Sequence, residues 1–367
     1  MVEPLIPLLA ALGVLLGLGL WERHARDRAW RDVPIRVHVN GTRGKSTVTR
    51  LIWSALREAG VSAVAKTTGT TPRLLLPDGT EQPIRRMGPA SIREQLQVLR
   101  AARRYRARAM IVECMALDPE LQWISEHRMV RATIGVVTNV RPDHVEIMGH
   151  DEAAIAACLA NTIPRGGVLV TGDCATSRLL AGRAAMAGAR VVAAEGGGGD
   201  WLAENERTAL TVMRELGVAD EVSQRGFAAF PRDPGTVRSG VEHGGWIDAT
   251  AANDPVSLER LLSPAPGAGA VVAVYNNRDD RGCRLLTFLR YPGIVSRAGT
   301  LVITGSRPPL TLWREATRRR SALETRFVAP RALGRWLASR PSACLLFCGN
   351  TRGLDVSRVL AEAGRRG

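Results

Sequence analysis

Between an apolar run and a helical pattern stand residues suited to phosphate chemistry: Gly41, Thr42, Arg43, Gly44, Lys45, Ser46 and Thr47. Ile35, Val37 and Val39 alternate ahead of them, and Val48, Leu51, Ile52, Ala55 and Leu56 recur at helical spacing behind. Strand, glycine loop and helix start is the arrangement that gathers backbone N–H groups around phosphate oxygens. The positive end of the helix adds to their pull. Lys45 brings a compact positive charge to the β- and γ-phosphates, and the Ser46 hydroxyl is a ligand for Mg²⁺. Val39 stands where the longer form of this loop has its first glycine, so the loop is a compact variant.

The chain has 50 Lys+Arg, yet lysine occurs only at Lys45 and Lys66. A lysine kept at position 45 in so arginine-rich a chain fits a site where a planar guanidinium is too large. Two further strand ends carry chemistry. Ala109 to Val112 is an apolar run that closes on Glu113, and a carboxylate opposite a phosphate loop is a usual Mg²⁺ ligand. Thr133–Val137 is another such run, followed by Thr138-Asn139-Val140-Arg141-Pro142-Asp143-His144. His144, behind Asp143, is a further candidate for metal or phosphate.

The elements that must position these residues alternate. Strands are expected near 61–65, 74–76, 109–112, 133–137, 167–170 and 190–193, and helices over 48–60, 90–104 and 201–217. Ser91 is the expected N-cap of the second of these helices, with Glu94 at capping-box spacing. Such alternation predicts a parallel, doubly wound sheet whose ligands sit at the carboxyl ends of its strands. Lys45, Glu113 and Asn139 all fall there. The stretch from Phe230 to Gly235 reads as a hinge. Beyond it, strand-like runs at 245–248, 270–275, 301–303 and 344–348 predict a second, smaller α/β domain. The expected division is 1–21, 22–230 and 231–367.

Residues 4–20 carry no charge, Trp21 follows, and Arg23, Arg26, Arg28 and Arg31 come next. Seventeen residues in a helix span about 25 Å, the short end for a membrane crossing. The basic flank predicts a single pass through the plasma membrane, with residues 22–367 in the cytoplasm. A cleaved signal is not expected, because a basic leading region and a small-residue cleavage site are lacking. The six cysteines have no paired spacing that suggests zinc or a disulfide framework, and buried thiols are expected. Net charge is +15, which suits an acidic substrate or an anionic membrane surface. Aromatics make up only 4% of the chain, too few for a single-stranded nucleic-acid platform, so no nucleic-acid partner is expected.

G-T-R-G-K-S, Glu113 and T-N-V-R-P-D-H together resemble the Mur ligase superfamily of ATP-dependent amide ligases. The stretch from Asp248 to Ser257, with Asn253-Asp254-Pro255, is similar to a further segment of that superfamily. V-N-G-T-R-G-K-S-T, K-T-T-G-T-T-P-R, V-E-C-M-A and N-N-R-x-D-R resemble more narrowly the ligase subunit of bacterial poly-γ-glutamate synthase. The resemblance implies a P-loop central domain with a parallel sheet, a smaller C-terminal α/β domain and one N-terminal transmembrane helix. It implies ATP and Mg²⁺ as cofactors, glutamate and poly-γ-glutamate as substrates, and membrane-embedded synthase subunits as partners.

Residue by residue, the resemblance implies that Lys45 holds the β/γ-phosphates and Ser46 the first Mg²⁺. Glu113 and His144 complete metal and γ-phosphate coordination, which makes Lys45, Glu113 and His144 the expected catalytic set. Asn139 is expected beside the adenine, Asp248 at the ribose, and Asn253 in closure over the nucleotide. Arg73, Arg85, Arg86, Arg278 and Arg281 are candidates for substrate carboxylates; for Arg278 and Arg281 a surface salt-bridge cluster is an equal reading. One departure stands out. Many Mur ligases carry a carbamylated lysine after the D-H motif, and this chain has no lysine after Lys66. Three rival readings remain: a folylpolyglutamate-synthase-like ligase, a membrane-tethered P-loop ATPase or regulator, and, least favoured, a nucleic-acid-binding module whose signature would be salt-dependent DNA binding.

Overall fold

The structure is a computed structural model. It describes residues 5–68, 72–86, 88, 90–196, 201–230, 238–240, 245–250, 258, 271–279, 282–290, 298–318, 324–351 and 353–364. Two compact units divide the chain, Met1–Pro231 and Arg232–Gly367.

The first unit opens with helix α1, Leu5–Asp32. Its apolar part is bare, with Leu8 through Trp21 exposing large hydrophobic side chains. It is long and apolar enough to cross a membrane. The helix does not stop at Trp21. Residues 22–32 hold no breaker, and its last turn gains a partner. Ala29, Trp30 and the following Val33 are buried with Val64, Val98, Leu99 and Met110. Trp30 Nε1 donates to the Met129 carbonyl at 3.0 Å, and Arg36 donates to the Trp30 and Val33 carbonyls at 2.9 and 2.8 Å. The end of the helix is therefore built into the domain.

The remaining strands of this unit are β1 (Ile35–Asn40), β2 (Ala63–Thr67), β3 (Arg73–Leu75), β4 (Glu81–Pro83), β5 (Ala109–Glu113), β6 (Ile134–Val137), β7 (Val168–Thr171) and β8 (Arg190–Ala193). They form one sheet in the order β4-β3-β2-β5-β1-β6-β7-β8. β2, β5, β1, β6, β7 and β8 run parallel, and the β3–β4 hairpin pairs antiparallel at one edge. Progress along the sheet reverses at β1: β2 and β5 lie on one side, and β6 to β8 on the other. Such a switch point opens a crevice at the carboxyl ends of the strands.

Helices α2 (Lys45–Glu58), α3 (Glu94–Arg104), α4 (Pro119–Ile124), α5 (Val145–Met148), α6 (Glu152–Leu159), α7 (Cys174–Met186), α8 (Trp201–Glu215) and α9 (Asp220–Ala228) cover the sheet. Leu51, Ile52, Trp53 and Leu56 of α2 pack with Val37, Val39, Ile111, Val212 and Phe227. Apolar residues at helical spacing on α2 thus meet alternate residues of two strands. Arg50, on the same helix, is buried and forms a two-pronged pair with Glu81, which pins the β3–β4 hairpin to α2.

Helix α3 starts later than expected. Its N-cap is Arg93, with no side-chain cap. The Ser91 hydroxyl accepts from the Arg93 N–H, and Glu94 reaches back to the Ser91 N–H only at 3.4 Å. Two cations draw the Glu94 carboxylate away from capping. Cysteine expectations need one correction. Cys114, Cys158, Cys344 and Cys348 are buried free thiols, but Cys174, at the start of α7, is exposed.

The second unit holds a six-stranded sheet. Its strands are β9 (Arg238–Gly240), β10 (Trp246–Asp248), β11 (Val271–Asn277), β12 (Ala298–Gly305), β13 (Glu324–Phe327) and β14 (Cys344–Gly349), in the order β13-β12-β11-β14-β10-β9. All pairs are parallel except β9 with β10. Val272, Val274, Val302, Leu345 and Phe347 face one helical layer, and Ala273, Tyr275, Leu301, Ile303 and Leu346 the other.

Candidate active site

The glycine loop leaves β1 at Asn40, whose buried amide donates to Gln122 and Thr162 at 2.8 and 3.1 Å. Gly41 has φ +123° and Gly44 φ +83°, values open to glycine. Each is also hemmed in. A Cβ on Gly41 would strike Thr138, and one on Gly44 would strike the Asn205 amide. The cradle therefore keeps its shape only with glycine at both positions.

The T-N-V-R-P-D-H segment is knitted to this loop. Asn139 Oδ1 accepts from the Thr42 hydroxyl at 2.7 Å and from the Arg43 N–H at 3.1 Å. Its Nδ2 donates to the Arg43 carbonyl at 3.1 Å, to which the Thr138 hydroxyl also donates. The Arg141 N–H donates to Thr42 Oγ1 at 3.0 Å, and Arg43 pairs with Asp143 at 3.3 Å. Asn139 is thus a brace of the loop, engaged through both ends of its amide.

Lys45 opens α2, and its ammonium donates to the Gly41 and Thr42 carbonyls at 2.6 and 3.3 Å. The Ser46 hydroxyl donates to Glu113 Oε2 at 2.8 Å, and the same oxygen accepts the Thr68 N–H at 2.7 Å. A hydroxyl and a carboxylate in contact at the start of a phosphate-loop helix are the hard oxygen donors that Mg²⁺ takes. The donor set fits that ion, with most of its coordination left to water and phosphate. No group of three or more His, Cys, Asp or Glu gathers into a closed metal cage among the described residues.

Lys45, Thr68, Arg86, Asp143 and His144 line one open pocket of about 190 Å³. His144 is held at φ +46°, a left-handed conformation uncommon outside glycine. Its Nδ1 is 3.4 Å from Glu146 and its Nε2 4.0 Å from Asp143.

A buried charge cluster behind Glu113 went unread in the sequence. Lys66 Nζ is fully buried, 3.0 Å from Glu94 and 3.4 Å from Met115 Sδ. Arg86 grips the same Glu94 through two bonds of 2.7 and 3.1 Å. Burial pushes the Lys66 ammonium below its usual range, and Glu94 works against that. Burial also opposes the charged form of Glu94, but Arg86 and Lys66 outweigh it and hold the carboxyl at about 2. The available signal was composition: Lys66 is the second of two lysines.

A second buried pair sits further down β1. His38 Nδ1 lies 2.8 Å from Glu126 Oε2, and Glu126 Oε1 accepts the Ala132 N–H at 2.8 Å. Burial disfavours the charged ring, but neighbouring Cys114 and Glu126 outweigh it and raise His38 to about 9.

The fold thus brings Gly41 to Thr47, Glu113, Asn139, His144 and Arg86 to one edge of the first sheet. Arg73 starts β3, and Arg85 is an exposed residue after the hairpin. Asp248 and Arg278 belong to the second unit, at the end of β10 and just after β11. Asp248 Oδ1 accepts from the Thr250 N–H and hydroxyl at 3.2 and 2.8 Å. Asn253 and Arg281 lie outside the described residues.

A compact glycine loop, a serine–carboxylate pair beside it and a braced T-N-V-R-P-D-H strand end, on a doubly wound sheet, define an ATP-dependent ligase domain of the Mur type. The Mur ligase middle domain matches residues 39–211. The same fold occurs in a bifunctional folylpolyglutamate synthase/dihydrofolate synthase, with TM-score 0.65 and 17% identity over 92% of this chain and 91% of the other. It occurs also in MurF from Acinetobacter baumannii, with TM-score 0.65 and 14% identity over 92% and 78% of the two chains. At those identities the likeness is one of fold.

The poly-gamma-glutamate synthase CapB C-terminal domain matches residues 236–354. The PGA synthase CapB of Bacillus subtilis (strain 168) is 36% identical over 81% of both chains. The capsule biosynthesis protein CapB of Bacillus anthracis is 34% identical over 78% of this chain and 67% of its own. The chain belongs to the CapB family of poly-γ-glutamate synthases.

Proposed function

We propose that this chain joins glutamate to the end of a growing poly-γ-glutamate chain, with ATP supplying the driving force. A carboxylate does not condense with an amine at neutral pH unless its oxygen becomes a leaving group. The terminal carboxylate oxygen attacks the γ-phosphorus and ADP departs. The incoming amine then attacks the acyl carbon of the resulting acyl phosphate, and inorganic phosphate leaves. Catalysis of this kind is charge neutralisation and positioning.

The supporting observation is the braced loop that presents Lys45 and the Ser46–Glu113 pair at one point. Lys45 turns from the loop carbonyls to the β/γ-phosphates. Ser46 and Glu113 would hold Mg²⁺, which supplies positive charge against the phosphate oxygens when bound. His144 stands on the wall of the same pocket, where it can donate to the transferring phosphate. Arg86, fixed by Glu94, offers a cation to substrate carboxylates. The adenine-side role of Asn139 and the roles of Asp248, Asn253, Arg73, Arg85, Arg278 and Arg281 belong to the same proposal. So does the division into an anchor (1–21), a nucleotide domain (22–230) and a C-terminal domain (231–367).

Helix α1 is the single membrane pass of this reading, with the remainder cytoplasmic. A lone span forms no pore, and a polyanion cannot cross hydrocarbon unaided. The chain therefore works with at least one multi-span membrane protein. The deciding experiment incubates membranes containing the full chain with ATP, Mg²⁺ and glutamate, then analyses the product. Glutamate-dependent ADP release with γ-linked polymer is expected; ATP hydrolysis indifferent to glutamate would favour the tethered ATPase. Deletion of residues 1–21 should release the protein from membranes, and full pelleting at high salt would count against the anchor.

A further inference from the structure

We propose that the amino-terminal edge of the eight-stranded sheet is a docking site for the phosphate headgroups of anionic phospholipids. The proposal rests on the reading of α1 as a membrane span.

A pocket of about 670 Å³ opens where β1, β6, β7 and β8 begin, at the edge opposite the glycine loop. Its walls carry Arg36, Arg131, Arg165, Arg190 and His127, against one acid, Glu126. That acid is turned to other work, since its oxygens hold His38 and the Ala132 N–H. Arg36 donates to the Arg131, Trp30 and Val33 carbonyls, groups that leave its charge in place. Arg190 pairs with Glu215, and Arg131 with Asp27 at 3.7 Å, both at the exposed surface, while Arg36 and the exposed Arg165 have no carboxylate in ion-pair contact among the described residues. The pocket is therefore cationic, with guanidinium groups suited to phosphate geometry.

Its position relative to α1 specifies the ligand. The guanidinium of Arg131 lies 3.9 Å over the ring of Trp30, and Arg36 bonds the carbonyls at the end of the helix. The helix end is thus part of the pocket's frame. The uncharged run ends before Trp21, and the helix is buried against the domain from Ala29. The intervening Glu22 to Arg28 rise about 10 Å in a helix. That is slightly more than the Debye length of about 8 Å at physiological ionic strength. A span seated in the bilayer therefore carries this edge into the headgroup layer, where each basic residue strengthens binding to anionic lipid about fivefold. Arg23, Arg28 and Arg31 on the same helix add exposed charge. The active site, at the other end of a six-residue strand, stands about 20 Å further from the membrane.

The test reconstitutes the full chain in phosphatidylcholine vesicles with and without phosphatidylglycerol. Flotation and amide hydrogen exchange over 163–168 and 188–190 are measured. Expected are flotation on both vesicles and slowed exchange only with phosphatidylglycerol. Arg165→Gln should raise the phosphatidylglycerol needed for half-maximal protection about fivefold. Equal exchange on both vesicles, with flotation intact, would overturn the docking site and leave the span standing. Loss of flotation on phosphatidylcholine alone would overturn the span and the docking site with it. Equal protection by inorganic phosphate or soluble polyglutamate, without phosphatidylglycerol, would overturn the choice of lipid.

Discussion

The two edges of the first sheet use charge in opposite ways. At the carboxyl edge several charged groups meet opposite charge or fixed donors: Lys66 and Arg86 on Glu94, Arg43 on Asp143, Ser46 and Thr68 on one oxygen of Glu113. At the amino edge the arginines bond carbonyls, stack on an indole or face water, and the ion pairs of Arg131 with Asp27 and Arg190 with Glu215 lie at the exposed surface. Matched charge in low dielectric holds geometry to within tenths of an ångström, which chemistry needs. Unmatched charge near solvent builds a field, which attraction to a surface needs. On the proposed reading, one sheet separates an end built for precise chemistry from an end built for attraction to a surface.

The sharpest way to break this contrast is at Lys45. Lys45→Ala should lower ATP turnover on the order of 10²–10³-fold, with the circular dichroism spectrum unchanged. Lys45→Arg should fail nearly as badly, because the loop closes over a compact ammonium. More than a tenth of the activity surviving in Lys45→Ala would remove Lys45 from the machinery.

Glu94→Gln comes next. It removes the carboxylate that two cations share, leaving Lys66 only the more distant Glu113, at a cost of about 3 kcal/mol read by denaturant unfolding. A second change, Lys66→Met, should return part of that loss, since the stranded ammonium goes with it. Because the folded carboxyl lies at about 2, below its unfolded value, its stabilisation is full above about pH 5 and lost as pH falls toward 2.

His38 has the opposite sign. Its folded value of about 9 lies above the usual imidazole range, so its stabilisation is complete below about pH 6 and lost as pH rises through 9. Thermal unfolding should show a midpoint falling by several degrees across that window, and His38→Gln should flatten the slope. The smallest effect belongs to the amino edge. Arg165→Gln should change stability by less than about 0.5 kcal/mol in unfolding experiments. A loss of several kcal/mol there would mean that the arginine edge is structural after all.

What was legible in the sequence was local. The β1–loop–α2 unit lies within 24 consecutive residues, from Ile35 to Glu58, and its periodicity changes at the glycines. The expected strands at 109–112 and 344–348 emerged within a residue of β5 and β14, because each is an unbroken apolar run buried on both faces. Edge strands β4, β9 and β13 carry no such run, and Glu81-Gln82-Pro83 and Glu324–Phe327 bury little, so they passed unread. Glu94 sat at capping spacing, but its partner Lys66 on β2 meets it only through the fold, and Arg86 reaches it across the loop before α3. Arg36, Arg131, Arg165 and Arg190 are as scattered in sequence as the other arginines. They converge because all stand at or before the starts of parallel strands, a fact of topology.

Helix α1 runs unbroken from its bare apolar stretch into the packed core around Trp30. It therefore behaves as a screw: each residue added between Glu22 and Arg28 lifts the domain about 1.5 Å and turns it about 100°. On the proposed reading of α1 as a span, height above the bilayer and compass heading cannot be adjusted separately. A seven-residue insertion restores the heading nearly, after two turns, but raises the body by about 10 Å. On that reading, lengthening this shaft by two or three residues would point a different flank of the enzyme at the proposed membrane-embedded partner.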